Sequence, residues 1–150
     1  MSQQLTKSAA RNIFYGGTLF FLVVFIALVA QSHAYVLSTS SHPRNITASV
    51  AAGKHVWEKH SCINCHTILG EGAYFAPELG NVWKRYGGED DPEGARETLK
   101  AWFAAQPTGI PGRRQMPQFN LTDQELDNVI DFLKWTSEVD AQNWPPTPAG

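Results

Sequence analysis

The chain has 150 residues, a formal charge of −2 and an isoelectric point near 6.2, which leaves room for one small domain plus an appendage and argues against nucleic acid as a partner. Its two cysteines are too few for a disulfide framework, and a bridge between neighbours so close in sequence would close a very tight loop. All fourteen acidic residues lie at or beyond Glu58, and from Gln31 onward ten Lys and Arg stand against fourteen Asp and Glu, a balance of −4; a mildly acidic surface of this kind steers basic partners.

Residues 1–11 carry Lys7 and Arg11 and read as a short arm. From Asn12 to Pro43 there is no Asp, Glu, Lys or Arg, and the apolar centre runs from Ile13 to Ala30. At ~1.5 Å of rise per residue that centre covers roughly 27 Å as a helix. Continued through Tyr35-Val36-Leu37 it spans a bilayer with some tilt, so residues 12–37 are expected to form a transmembrane anchor helix. The basic residues ahead of it place the arm in the cytoplasm and the carboxyl-terminal bulk in the periplasm, outside the bacterial inner membrane. Phe14-Tyr15 and Tyr35 sit where interfacial aromatics belong. The competing reading is a cleaved signal peptide. Ser32-His33-Ala34 offers small residues at the right positions, but the apolar stretch is longer than a signal h-region. Both readings export the same part of the chain.

Residues 38–47 are polar, contain Pro43 and read as a linker. A helix is expected from about Ala48 to His60, with Val50, Trp57 and Ala51 sharing a face and Gly53 weakening it. It delivers the chain into Cys62-Ile63-Asn64-Cys65-His66, a C-x-x-C-H run. That run is the attachment signal for c-type haem: two thiols on one turn each add to a vinyl group of the same porphyrin, and the adjacent histidine is brought under the iron. The redox-motif reading of C-x-x-C expects a βαβ setting that the sequence does not offer. Zinc is a further alternative, with His55, His60, Cys62, Cys65 and His66 as candidates, but structural zinc sites favour two ligand pairs separated by a loop.

Residues 67–77 are too irregular for an assigned element. Residues 78–86 suggest a short helix stopped by Gly87-Gly88. Asp91-Pro92-Glu93 is a helix start, with Asp as cap and Pro in the first turn, and the helix runs to about Ala105 with Leu99, Trp102 and Phe103 inward. Residues 108–120 form a loop bearing Pro and Gly. Thr122-Asp123-Gln124-Glu125 is a capping box, followed by Leu126, Val129, Ile130 and Leu133 at helical spacing. Residues 141–150, with Trp144-Pro145-Pro146-Thr147-Pro148, cannot continue a helix and read as a tail. The expected fold is all-α: one amino-terminal transmembrane helix plus a monohaem, class I-like cytochrome c domain over residues 48–140. A domain of this size has a thin core, and a covalent haem supplies an apolar plate for short helices to pack on.

His66 is the expected proximal iron ligand. Of the two methionines, Met1 lies on the wrong side of the membrane, and Met116 sits in the loop before the last helix with Pro117 stiffening its backbone. Met116 is therefore the expected distal ligand, with His55 and His60 as competitors close to the motif; His33 and His42 belong to the anchor end and the linker. A His–Met pair raises the potential over bis-His. Iron saturated in this way binds no substrate, so the reading is electron transfer with no catalytic centre in this chain.

The run from Cys65 through Val82, CHTILGEGAYFAPELGNV, closely resembles the stretch after the haem site in the small cytochrome c subunit of bacterial nitric oxide reductase. Met116-Pro117-Gln118-Phe119-Asn120-Leu121 resembles that subunit's distal-ligand loop, and the layout of one span, one haem domain and a short tail is similar along nearly the whole chain. The resemblance implies a heterodimer with a large polytopic subunit holding haem b and a haem b3–iron centre, where two nitric oxide molecules become nitrous oxide and water. It implies electrons accepted from a soluble periplasmic cytochrome c or blue copper protein. It also implies a calcium ion at the subunit interface, to which this chain gives the Gly72 carbonyl and Tyr74. From the residues alone, Gly72 reads as a tight turn and Tyr74-Phe75 as packing; Glu71 and Glu78 read as solvated, with Glu71 alternatively meeting the partner. The alternatives are a membrane-tethered electron carrier without a fixed partner and the haem c subunit of a haem-copper oxidase.

Overall fold

The computed structural model describes residues 5–146; Met1, with the start of the expected arm, and Thr147-Pro148, within the expected tail, lie outside them. The chain divides into two units, residues 1–39 and 40–150.

The first unit is one long helix. Helix α1 spans Lys7–Tyr35 and passes into a π-helical turn, Val36–Ser40. It starts earlier than the expected Asn12 because Thr6 caps it, accepting a hydrogen bond from the Ala9 N–H at 3.2 Å, and because Lys7 and Arg11 are good helix formers whatever their polarity. None of its residues is buried, although Leu, Phe, Val and Ile fill its middle. An apolar helix of this length is long enough to cross a bilayer, and its bare apolar surface fits a membrane anchor.

The second unit is all-helical apart from one small hairpin. A 3-10 turn, Pro43–Asn45, lies in the expected linker. Helix α2 follows at Ala48–Lys59, capped by Thr47, whose hydroxyl accepts from the Val50 N–H at 3.2 Å. A 3-10 turn, Cys62–Asn64, leads to strands β1, Thr67–Ile68, and β2, Glu71–Gly72, paired antiparallel with Thr67 opposite Gly72. Helix α3, Val82–Arg85, is shorter than expected; α4 spans Pro92–Ala104 and α5 Asp123–Glu138. The expected caps are present. Asp91 accepts from the Gly94 N–H at 2.9 Å, and Thr122 and Glu125 exchange both bonds of the capping box.

The core forms where α2 and α5 pack, the most extensive contact between elements. Val50 and Trp57 meet Ile130, Phe132 and Leu133, with Val82, Trp83, Ala95 and Leu99 closing the cluster. Gly53 makes this close approach possible: a Cβ there would lie 1.9 Å from the Asn128 carbonyl oxygen. The residue that costs helix propensity thus sets how near the two helices come. Ala51, expected on the buried face, is exposed; Val56 and Gly53 occupy that face instead. Leu99 is buried as expected, but Trp102 is 40% exposed. Polar ties frame the core. Ser49 donates to Asp131 and Asn128, and Arg96 pairs with Asp127 and Asp131 across α4 and α5.

Candidate haem-binding site

The C-x-x-C-H run follows a forced change of direction. Ser61 takes left-handed dihedrals after α2, and the Cys65 and His66 N–H groups both donate to the Cys62 carbonyl, at 3.1 and 2.9 Å. That tight turn sets both thiols and the imidazole within one short stretch. Cys62 and Cys65 are unbridged, and burial pushes the Cys62 thiol up to about 11. His66 Nδ1 lies 2.8 Å from the Pro77 carbonyl oxygen. A ring nitrogen held in this way fixes the tautomer and leaves Nε2 for a metal. Burial lowers the pKa of the ring, the charge of Arg85 acts in the same direction, and the hydrogen bond to the Pro77 carbonyl opposes them; the net shift favours the neutral form that ligation needs.

The segment after the motif folds back on it. Ala73, Ala76 and Leu79 donate their N–H groups to the carbonyls of Ile63, Cys65 and Thr67 at 3.0, 2.8 and 2.8 Å. Gly72 is needed where the strand crosses the motif: its φ is +125°, and a Cβ would stand 2.3 Å from the His66 carbonyl oxygen. Glu78, expected to be solvated, is 4% exposed. Its carboxylate accepts from the N–H groups of Leu69, Gly70 and Gly80 at 2.8, 3.1 and 2.7 Å and from the Trp144 indole at 3.3 Å. Burial raises its pKa, but these hydrogen bonds outweigh burial and hold it below the ordinary carboxylate value. The first part of the expected tail is thereby fastened to this loop through Trp144.

These elements enclose a cavity of about 1040 Å³, at the upper end of the range for small-molecule and cofactor sites. Its walls bring Cys62, Cys65 and His66 from one side together with Met116 from the loop before α5. Trp102 and Phe103, expected to point inward, line it too. The lining is otherwise largely aliphatic and aromatic, includes Arg85, Arg113 and Arg114, and among the described residues contains no carboxylate. In a chain of net negative charge that is a cradle for a flat apolar group bearing acid substituents. Thiols, imidazole, thioether and guanidinium groups together fit haem, whose macrocycle is apolar and whose propionates are anionic.

Of the competing histidines, His55 has a side chain 83% exposed, 3.6 Å from Glu58, and is not in the lining. His60 lines the cavity with its ring edge-on to Phe119, and its buried Nε2 has no hydrogen-bond partner. Tyr74 is 70% exposed, its hydroxyl donating to the Gly70 carbonyl at 3.3 Å. Among the described residues no cluster of three or more His, Cys, Asp or Glu side chains could hold a metal ion. The sequence pattern did not point to Arg85, whose Nη2 donates to the Glu78 carbonyl at 2.6 Å while its side chain borders the cavity. The basic pair Arg113-Arg114 beside Met116 was the available signal for a cationic wall.

The model of the cytochrome c family matches residues 50–137, from the first turn of α2 to the last turn of α5. The chain is 61% identical over 150 residues, all of both chains, to the C subunit of nitric oxide reductase from Halomonas halodenitrificans. It is 57% identical, again over all of both chains, to the proteins of the same name from Paracoccus denitrificans and Cereibacter sphaeroides.

Proposed function

We infer the role of this chain from the family to which it belongs, the cytochrome c subunits of nitric oxide reductase. It is a haem c electron-transfer subunit that works with a catalytic subunit. We propose that it takes electrons from a soluble periplasmic cytochrome c or blue copper protein and passes them to haem b in a large polytopic partner, whose haem b3–iron centre reduces nitric oxide to nitrous oxide. The observation that carries this reading is the cavity in which C-x-x-C-H meets Met116, in a chain related along its whole length to proteins of that family.

In this proposal Cys62 and Cys65 anchor one haem c covalently, each sulfur adding to a vinyl group. His66 Nε2 is the proximal ligand, oriented by the Pro77 carbonyl, and the Met116 thioether is the distal one. When bound, the haem supplies a site that takes up and releases one electron reversibly. Arg85, Arg113 and Arg114 balance its propionates, and the aromatic lining keeps water from its faces. With His66 and Met116 both committed to holding the iron, this chain would offer no open site for substrate and no catalytic centre of its own. Residues 12–37 sit in the bilayer, residues 1–11 in the cytoplasm and the haem domain, 48–140, in the periplasm. The Gly72 carbonyl and Tyr74 provide two oxygens to an interface calcium; an ion that takes six to eight oxygens draws the rest from the partner.

The test is purification in mild detergent. A polytopic partner that holds haem b is expected to accompany the chain, and the preparation is expected to consume nitric oxide when supplied with a reduced soluble cytochrome c. A lone, monodisperse cytochrome with no such activity overturns the assignment in favour of a free tethered carrier.

A further inference from the structure

The loop 108–120 that carries Met116 has no regular secondary structure, and Gly109, Gly112 and Asn120 take left-handed dihedrals within it. Such a loop is costly to order, because each fixed residue gives up backbone freedom. A weak sulfur ligand on a loose loop is easily displaced, so something must hold Met116 in place.

Two glutamines flank Met116-Pro117. The Gln115 side chain uses its amide fully, inside the loop. Its Oε1 accepts from the Thr108 hydroxyl at 3.0 Å and the Gly109 N–H at 3.1 Å, and its Nε2 donates to the carbonyls of Ile110 and Arg113 at 3.0 and 2.9 Å. That is the whole capacity of a carboxamide, two lone pairs and two N–H groups. The Gln118 side chain works outward. Its two Nε2 hydrogens are shared among the carbonyls of Gln106, Phe103 and Ala104 at 3.0, 3.2 and 3.4 Å, and its Oε1 accepts from the Asn120 N–H at 3.1 Å. Phe103 and Ala104 lie in the last turn of α4, where helix carbonyls lack an intrahelical partner. One amide therefore closes the loop on itself, and the other fastens it to a helix end. Arg114 adds a third tie, donating to the Phe75 carbonyl with its guanidinium 4.6 Å from that ring's centroid.

We propose that Gln115 and Gln118 are the positioning residues of the distal ligand, a pair of side-chain amides that preorganise the loop on either side of Met116 and keep its sulfur on the cavity wall. The proposal rests on the reading of Met116 as that ligand. Gln118 lies outside the cavity lining and Gln115 borders it beside Met116, with every polar atom of the Gln115 amide turned into the loop; each acts through the backbone that carries the thioether.

The test uses the full-length, haem-bearing chain in detergent, in its ferric form, titrated with imidazole as the competing ligand. The weak red charge-transfer band of a thioether on ferric haem is followed together with the midpoint potential. Met116→Leu is expected to abolish the band. Gln115→Ala and Gln118→Ala are expected to retain it but to bind imidazole about tenfold more tightly, the equivalent of roughly one net hydrogen bond lost from the closed loop, with a lowered potential. Gln118→Glu is expected to loosen the loop at least as much as Gln118→Ala, because it turns an acceptor toward three carbonyls. Gln115→Glu keeps the two accepted bonds, is expected to be intermediate, and stands in if Gln115→Ala does not assemble. Gln124→Ala, which removes a side-chain amide on α5 outside the loop, is expected to match the unmodified chain. If both alanine variants bind imidazole as the unmodified chain does while Met116→Leu loses the band, the clasp is wrong and the ligand assignment stands. If Met116→Leu keeps the band, the ligand assignment fails and takes the clasp with it.

Discussion

The two walls of the cavity are held by different means. On the His66 side, the segment 67–80 is laced to C-x-x-C-H through main-chain hydrogen bonds from Ala73 and Ala76, closed on itself by the bond from Leu79 to Thr67, and gathered around the buried Glu78 carboxylate. On the Met116 side, the loop 108–120 is held by side chains, Gln115, Gln118 and Arg114. The first wall is integral to the domain and fails only with it. The second can yield locally while the domain stays folded, since local opening draws on the least-braced elements. In the proposed site, a ligand adjacent in sequence to Cys65 would need little further support, whereas Met116, fifty residues beyond His66, would depend on the loop that delivers it.

Perturbations of the two walls should therefore differ in kind. The largest effect is expected from Glu78→Ala, which leaves the half-buried N–H groups of Leu69 and Gly70 and the buried one of Gly80 without their acceptor and should cost about 3 kcal/mol of unfolding free energy, read by urea denaturation of the haem-bearing chain. The same carboxylate predicts a pH dependence. Its pKa is depressed in the fold, so its stabilisation is fully present above the unfolded value of about 4.3 and is lost as pH falls through the lower folded value. The acid limb of the stability curve should be shallower in Glu78→Gln. Next in size is Gly72→Ala, where a positive φ and the His66 carbonyl both resist a side chain; a loss of about 2 kcal/mol is expected, again as a shift of the urea midpoint.

Gln118→Ala should cost global stability only about 1 kcal/mol, yet it should change ligand exchange more than either edit to the other wall. A Glu78 variant that loosened the Met116 sulfur as much as Gln118→Ala does would erase the contrast. The smallest effect is expected from Trp144→Phe, which removes one indole hydrogen bond to Glu78 and keeps most of the packing. About 0.5–1 kcal/mol, measured as a shift in the thermal midpoint, would sharpen the view that the residues after α5 brace the first wall.

Much of this was legible in the sequence because its signals are local. The capping box at Thr122, the Asp91-Pro92 start and the stripe through Val129, Ile130 and Leu133 each lie within a few residues of chain, and the helices form there. The family was legible from residues 65–82, which are far more specific than C-x-x-C-H. What escaped depends on contacts between distant segments. Nothing in the neighbourhood of Glu78 announces that three N–H groups converge on it; that follows from how the loop closes. Gly53 read as a weak point of α2 because propensity is a property of one helix, whereas its use is the approach of α5. Trp102 is expected inward on α4, but it borders the cavity, and the residue is 40% exposed. Gln115 and Gln118 carry no pattern at all, since their partners are carbonyls and N–H groups that any sequence supplies.

The account stands on the attachment of one haem through sulfur at Cys62 and Cys65. The intact mass of the mature chain tests it most directly. A mass equal to the polypeptide plus one haem, retained under denaturing acid conditions and lost in a variant with both cysteines replaced by alanine, is the expected result. A mature chain whose mass is that of the polypeptide alone, with both thiols free to alkylate, contradicts it.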